Sequence, residues 1–214
     1  MSATGIRVLL VDDHAIVRAG FRRLLEQATD IVVAAEAASG EEAYEKYARC
    51  DPGVVVMDLS MPGAGGMAAI QRILARHPVA RILVYSMHES PAFAVQALRS
   101  GAAGYVTKAS APDVLVEAVR AVSAGGNYLS PDIARRIALE RVAGGENPLQ
   151  ALSAREFEVF RLLAEGRTVD DIAAALCLSS KTVANYATQI RQKLGISSQI
   201  ELLRLAMTHG VVNG

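Results

Sequence analysis

Five short apolar runs, each followed by a segment of helical pattern, occupy the first part of this 214-residue chain, and this alternation restricts the fold more than any other feature. The runs are rich in Val, Ile and Leu, which is typical of parallel strands buried on both faces. In the intervening segments apolar residues recur at helical spacing. Strict alternation of strand and helix predicts a doubly wound α/β fold, a five-stranded parallel sheet with helices on both faces. The runs cover residues 6–11, 31–35, 54–57, 81–85 and 104–107.

Polar residues suited to phosphoryl transfer follow four of these runs. In an open parallel sheet the carboxyl ends of the strands meet at one edge, where such folds bind their ligands. That edge is therefore expected to gather three carboxylates, one hydroxyl and one ammonium group, a set suited to a cation beside an acyl-phosphate site. The residues are Asp12 and Asp13 after the first run, Asp58 after the third, Ser86 after the fourth and Lys108 after the fifth.

Asp58 is the best candidate for a phosphate acceptor, because it stands alone after a buried strand. A carboxylate becomes a usable acceptor when a divalent cation and a fixed positive charge offset the charge of the incoming group. Asp12 and Asp13 offer the hard oxygen ligands that Mg²⁺ prefers. Lys108 and Ser86 can each pair with a phosphoryl oxygen. Taken singly, the Asp pair could be a turn or a helix cap, the serine a turn residue and the lysine a solvated loop residue; their common position at strand ends favours one site.

Composition restricts the class of protein further. Hydrophobic residues make up 51% of the chain, which is enough for a substantial core. No apolar run approaches the roughly 18 residues that span a bilayer, and the first residues lack the features of a signal peptide. Cys50 and Cys177 have no metal-ligand spacing, so a cytoplasmic protein with reduced thiols and no membrane contact is expected. The formal net charge is zero, yet residues 172–200 hold three basic residues and no acid, a local patch that suits nucleic acid.

The strand pattern ends near residue 125, which predicts two domains. Ser153 with Glu156 predicts a capping box at the first helix of the second domain, and Ser110 is predicted to cap the helix after the fifth strand. Residues 144–148 are expected to form a flexible joint. The predicted divisions are an α/β domain at 1–125, a linker with a short helix at 126–149 and an all-α four-helix domain at 150–214.

Two helical segments of the second domain, 169–176 and 180–194, have the lengths and the short connection of a helix-turn-helix, whose second helix enters the DNA major groove. On that second helix Val183, Ile190 and Leu194 share one side and are expected to pack inward. The alternative is a plain four-helix bundle with a solvated polar face. The polar side carries Lys181, Ala184, Asn185, Thr188, Arg191 and Gln192.

The whole chain resembles the bacterial two-component response regulators of the NarL/FixJ type. The motifs of their receiver domain are matched by residues 10–14 (LVDDH), residues 57–63 (MDLSMPG), Ser86 and residues 104–108 (GYVTK). The resemblance implies a flavodoxin-like receiver fold and phosphate transfer to Asp58 from the histidine of a sensor kinase. Tyr105 would then be a switch residue, although a tyrosine on an edge strand also packs well without switching. The implied roles are Mg²⁺ coordination by Asp13, Asp58 and the Ser60 carbonyl, with Asp12 acting partly through water, and switching at Ser86, Tyr105 and Lys108.

Residues 152–156, 178–183 and 193–195 closely resemble the LuxR/NarL-type DNA-binding domain. Tyr186 stands where many members carry His, which indicates the GacA/UvrY-like subgroup. No arginine is among the base-reading candidates, so readout is expected to rest on thymine methyl contact, on Asn185 with adenine and on DNA shape. The few basic residues per domain make a homodimer on two half-sites the expected binding form. The resemblance implies base contacts by Ala184, Asn185 and Thr188 and phosphate contacts by Lys181, Thr182, Arg191 and Lys193.

These features together predict a phosphorylation-controlled regulator of transcription that turns over no external substrate. One alternative is an Asp-nucleophile phosphohydrolase, although no insertion is long enough to supply a substrate cap. Another is a phosphorylation-independent DNA-binding regulator that uses its receiver as a dimerisation module. Before phosphorylation the receiver is expected to mask the third or fourth helix of the DNA-binding domain. Phosphorylation is then expected to favour a dimer through the first and fifth receiver helices. The sequence leaves open whether the two domains are packed or extended.

Overall fold

The computed structural model describes residues 5–63, 65–142 and 147–212. Strands and helices alternate in its first part, and the described residues after the last strand are helical or connecting. The strands are β1 Ile6–Val11, β2 Ile31–Ala37, β3 Val54–Met57, β4 Ile82–Ser86, β5 Gly104–Thr107 and β6 Tyr128–Leu129. The helices are α1 Ala15–Glu26, α2 Gly40–Cys50, α3 Gly65–Arg76, α4 Pro91–Arg99, α5 Pro112–Ser123, α6 Pro131–Val142, α7 Ala154–Ala164, α8 Val169–Ala175, α9 Ser180–Leu194 and α10 Gln199–Thr208, with a 3-10 turn at Pro148–Ala151 before α7.

The sheet is wholly parallel, and its strand order is β2-β1-β3-β4-β5-β6. The doubly wound prediction is confirmed, but the prediction of five strands is wrong by one. The sixth strand has two residues, Tyr128 and Leu129, which pair with Gly104 and Tyr105 of β5. A strand this short leaves no apolar run in the sequence. Gly104 allows the close approach, because a Cβ at this position would lie 2.6 Å from the Tyr128 carbonyl oxygen.

Local hydrogen bonds explain where several helices begin. The capping box of Ser153 and Glu156 at α7 is present as predicted. The expected cap at Ser110 is not: α5 has Ala111 as its N-cap, and the Ser110 hydroxyl instead lies 2.9 Å from Thr107 Oγ1. Gly195 ends α9 with a φ of +65°, a left-handed conformation that glycine adopts without strain. Among the described residues, no helix is both long and apolar enough to cross a membrane.

The two parts of the chain are packed against each other through α4. One hydrophobic cluster runs without interruption from the α3/α4 face of the sheet into α7, α8, α9 and α10. Phe93 of α4 meets Phe157 of α7 edge to face, with ring centroids 5.1 Å apart. The buried Gln96 amide donates to the carbonyl oxygens of Leu149, at 2.8 Å, and Leu152, at 3.1 Å. The two domains are therefore packed together and not extended.

A further contact joins the carboxyl-terminal end of the chain to α4. The Ser90 hydroxyl, at the N-cap of α4, donates to the His209 carbonyl oxygen at 2.6 Å. Of the predicted flexible joint at 144–148, residues 144–146 lie outside the described residues. Pro148 begins the 3-10 turn whose Leu149 carbonyl receives Gln96.

Candidate functional site

The predicted acidic site forms at the carboxyl edge of the sheet. β1 and β3 are neighbours with Val11 opposite Met57, so Asp12 and Asp58 leave adjacent strands side by side. Both are buried, with 2% and 3% of their surface exposed. The Lys108 ammonium lies between them, 2.6 Å from Asp12 Oδ2 and 2.8 Å from Asp58 Oδ2. Three residues predicted from separate strand ends therefore share one ion-paired cluster.

The charge balance of this cluster is negative. Burial by itself would lower the pKa of Lys108, but the hydrogen bonds that it donates to Asp12 and Asp58 outweigh burial and raise that pKa above its ordinary value. Lys108 therefore carries its positive charge at neutral pH. One ammonium faces two buried carboxylates, and a buried charge is costly unless it is compensated. A further cation bound at this cluster would therefore offset its excess negative charge.

Asp13 supplies the observation that tests the fit of such a cation. Potential ligand atoms of Asp12, Asp13 and His14 all lie within 4.8 Å of one another. Asp13 Oδ1 is buried and accepts no hydrogen bond, although it lies 3.0 Å from His14 Nδ1. Carboxylate oxygens are hard ligands of the kind that Mg²⁺ prefers, and one of them is left without a donor. The acidic residues therefore fit a divalent cation. Asp58 is outside this group and is held by Lys108.

Ser86 and Tyr105 both face the interior and converge on one loop residue, His88. Ser86 is fully buried at the end of β4, and its hydroxyl oxygen accepts from the His88 amide at 3.3 Å. The buried Tyr105 hydroxyl donates to the His88 carbonyl oxygen at 2.7 Å. Burial raises the pKa of Tyr105 well above its ordinary value, so the phenol stays protonated and remains a donor.

His88 is a residue that the sequence analysis missed. Its Nε2 lies 3.1 Å from the hydroxyl of Ser60, two residues after Asp58, and its ring stacks on Phe93 at 3.7 Å with the planes parallel. Burial, with a smaller contribution from Arg161, lowers the pKa of His88 to about 4. The sequence signal that could have identified His88 is its position two residues after Ser86, in the loop that leaves the site.

The candidate DNA-facing residues lie on the outer side of α9. Val183, Ala187 and Ile190 are buried beneath it, so the predicted inward face is confirmed in part; Leu194 is only half-buried. The receiver packs on α7, on the 3-10 turn and, through Ser90, on His209 at the end of α10, so masking of the third or fourth helix of the DNA-binding domain stays a prediction. Lys181, Ala184, Asn185 and Thr188 are exposed, as are Gln189 and Gln192, whereas Thr182 and Arg191 are half-buried.

Lys193 differs from the other candidates. Its ammonium lies 2.7 Å from Oε2 of Glu156, the buried capping residue of α7. Burial would raise the pKa of Glu156, but Lys193 and the capping contacts with Ser153 together hold it below its ordinary value. Lys193 is thus an ion-pair partner within its own domain, which the motif resemblance alone could not reveal.

Comparison with known proteins agrees with both halves of this geometry. Residues 8–120 match the response regulator receiver domain, and residues 150–206 match the bacterial regulatory proteins of the luxR family. The chain belongs to the response regulators of this type. The response regulator GacA of Pseudomonas viridiflava is 41% identical over 210 residues, which cover 97% of this chain and 98% of that protein. The response regulator UvrY of Escherichia coli strain K12 is 40% identical over 211 residues, covering 97% and 96%.

Among solved structures, RcsB of Salmonella enterica serovar Typhimurium, bound to the promoter rprA in the presence of phosphomimetic BeF3−, is similar over both domains. It is 31% identical, matches at a TM-score of 0.74, and the match covers 94% of this chain and 98% of that one. The likeness therefore extends beyond either domain alone.

Proposed function

We propose that this response regulator accepts a phosphoryl group on Asp58 from the histidine of a sensor kinase and, as a homodimer, controls transcription by binding promoter DNA through α9. The observation that carries the proposal is the Lys108 ammonium, which bridges the buried carboxylates of Asp12 and Asp58 at the edge where Ser86 also ends its strand. Such a cluster suits phosphoryl transfer, in which catalysis consists mainly of positioning and charge stabilisation.

In this proposal the Asp58 carboxylate attacks the phosphorus atom, the P–N bond to the kinase histidine breaks, and the ring nitrogen leaves with the electron pair. Lys108 transfers its ion pair from Asp58 to a phosphoryl oxygen, and the Ser86 hydroxyl donates to another. Tyr105, already turned inward, relays the change through its hydrogen bond to the His88 carbonyl. Mg²⁺, held by Asp12, Asp13, Asp58 and the Ser60 carbonyl, would offset the charge of the phosphoryl group when bound.

For DNA binding we assign Ala184, Asn185 and Thr188 to base edges, since all three are exposed along one side of α9. Lys181 is the clearest phosphate contact. Lys193 would have to leave Glu156 to reach DNA, so its contribution is expected to be smaller. A dimer would double the modest number of DNA contacts that one domain makes. Leu203 and Met207 of α10 are exposed and offer apolar surface for pairing. The remaining phosphate contacts in the proposal are Thr182 and Arg191.

The proposal keeps the divisions 1–125, 126–149 and 150–214, with β6 in the second of them completing the receiver sheet. It also keeps a cytoplasmic location and no turnover of an external substrate. One observation favours the alternative of a phosphorylation-independent DNA-binding regulator: the outer face of α9 is exposed while the domains are packed. In that case the receiver would serve as a dimerisation module only.

The test is phosphate uptake measured by intact mass with acetyl phosphate and Mg²⁺, on the wild type and on Asp58→Asn, with promoter binding measured on the same samples. We expect a single phosphate on the wild type and none on the variant, with tighter DNA binding after uptake. Equal DNA binding by both, with phosphate on neither, would support the phosphorylation-independent alternative instead.

A further inference from the structure

The loop that joins β1 to α1 carries Asp12 and Asp13, and a side chain of α1 holds the backbone of this loop. The Arg18 guanidinium donates from Nη1 to the Asp12 carbonyl oxygen at 2.6 Å and from Nε to Glu36 Oε2 at 2.9 Å. Glu36 lies near the end of β2, the strand that pairs with β1. Arg18 therefore connects the peptide group between the two acidic residues to the neighbouring strand.

This peptide group sets the direction in which the chain enters Asp13. It is planar and contains both the Asp12 carbonyl and the Asp13 nitrogen, so a hydrogen bond to the carbonyl orients the backbone of Asp13 as well. The Asp12 side chain is held separately, by the Lys108 ammonium at 2.6 Å and by the His14 amide at 2.8 Å. Asp13 Oδ1 is buried and accepts no hydrogen bond from the described part of the chain, although the His14 ring is near. The orientation of Asp13 therefore depends mainly on its backbone.

Glu36 in turn keeps Arg18 in place. Its second carboxylate oxygen accepts from Arg22 Nη1 at 2.8 Å. The hydrogen bonds from Arg22 and Arg18 outweigh burial and hold the pKa of Glu36 below its ordinary value, so this carboxylate is ionised at neutral pH. The two arginines differ in their other partner and in burial. Arg18 reaches Asp12 and is 17% exposed, whereas Arg22 reaches Glu26 and is 48% exposed.

We propose that Arg18 is a positioning residue for the Mg²⁺ site, which holds the β1–α1 loop so that the Asp13 carboxylate is presented to the cation. Arg18 does not touch the cation in this role and acts through the Asp12 carbonyl. Removal of groups that orient metal ligands typically lowers metal affinity about 10- to 100-fold. The inference deepens the proposed function, since it rests on the same acidic site.

The positive charge of Arg18, taken alone, would have the opposite effect on Mg²⁺ binding. A cation close to the site repels Mg²⁺, so its removal should tighten Mg²⁺ binding. Loss of the hydrogen bond to the Asp12 carbonyl should instead weaken Mg²⁺ binding, because Asp13 is no longer held in its orientation. The sign of the change in Mg²⁺ affinity therefore distinguishes positioning from charge.

The experiment is isothermal titration calorimetry of Mg²⁺ with the full chain in the absence of a phosphodonor; the chain has no tryptophan that could report binding by fluorescence. Arg18→Met is expected to raise the dissociation constant of Mg²⁺ about tenfold. Arg22→Met is the matched control, since it removes an equal charge from the same helix and a hydrogen bond to the same Glu36. The control is expected to leave the dissociation constant unchanged or lower.

Arg18→Lys decides the question if Arg18→Met fails to fold. It keeps the charge but has a single nitrogen in place of the planar fork that spans the Asp12 carbonyl and the Glu36 carboxylate, so it should also weaken Mg²⁺ binding. An unchanged or lowered dissociation constant in the Arg18 variants, an equal increase in Arg22→Met, or no Mg²⁺ binding by the wild type would overturn the inference.

The rate of phosphate uptake from acetyl phosphate, measured over a range of Mg²⁺ concentrations, separates positioning from a general structural defect. In Arg18→Met the Mg²⁺ concentration that gives half the maximal rate should rise about tenfold. The rate at saturating Mg²⁺ should stay close to that of the wild type, because Asp58, Ser86 and Lys108 are unchanged. A loss confined to the maximal rate would overturn the inference. A wild type that binds Mg²⁺ but takes up no phosphate would instead overturn the proposed function.

Discussion

Gln96 offers the sharpest test of how the two domains are held together. The side chain is 2% exposed, and its amide nitrogen donates to the carbonyls of Leu149 and Leu152 across the domain contact. Gln96→Met keeps the length of the side chain and removes both donors. In the variant the Leu149 carbonyl would still accept a hydrogen bond from the Leu152 amide, at 3.2 Å. At this carbonyl the substitution therefore removes one ordinary hydrogen bond without leaving the oxygen unpaired. The Leu152 carbonyl would lose its bond from Gln96 in a buried site.

An ordinary hydrogen bond contributes about 1 kcal/mol, and a buried group left without a partner costs about 1–3 kcal/mol, so the variant should lose roughly 2–4 kcal/mol of unfolding free energy. The assay is urea unfolding of the full chain followed by far-UV circular dichroism. Gln189→Met is the control, because Gln189 is exposed on α9 and its replacement should change stability by less than about 0.5 kcal/mol. An unfolding midpoint for Gln96→Met equal to that of the wild type would show that these hydrogen bonds do not hold the domains.

Two further predictions concern charge. Lys181→Ala should weaken binding to all DNA sequences alike and lower the salt dependence of binding by about one phosphate contact. Lys193→Ala should mainly destabilise the fold, by about 1 kcal/mol or less, because that lysine is 43% exposed. A salt titration of DNA binding and thermal unfolding distinguish the two variants. Burial raises the pKa of Glu158, so ionisation of this group costs stability as the pH rises above about 4.5, its unfolded value. Glu158→Gln also removes the ion pair with Arg155, so the pH dependence is the test: the stability of the variant relative to the wild type should rise from pH 4 to pH 7 in urea titrations, and a constant difference would contradict the assignment.

The sheet and the acidic cluster could be predicted because each depends on signals local to the chain. Uninterrupted apolar runs specify buried parallel strands, and the geometry of parallel sheets alone brings Asp12, Asp58 and Lys108 to one edge. The two-residue β6 could not be predicted, because two residues carry no period. Ser110 has the right spacing for a cap, but its hydroxyl lies 2.9 Å from Thr107 Oγ1 and 3.4 Å from Oδ1 of Asp132, a residue of α6 that is distant in the sequence.

The domain contact lay beyond the sequence for a different reason. Phe93 and Phe157 are 64 positions apart, and each taken alone is simply an apolar residue on the inner side of its own helix. His88 gave no periodic signal, and the ion pair of Lys193 with Glu156 joins α9 to α7. Contacts between distant elements depend on how finished helices pack, which no local pattern records.

Gln96 also bears on how such a protein could be assembled from parts. Its two hydrogen bonds end on backbone carbonyls, which every amino acid possesses, so this part of the contact does not depend on the side chains of the incoming domain. The contact of Phe93 with Phe157 does depend on them. In a fusion of this receiver to a foreign DNA-binding domain, the Gln96 contact would require only a backbone at the same place, whereas the aromatic contact would also require an aromatic side chain opposite Phe93.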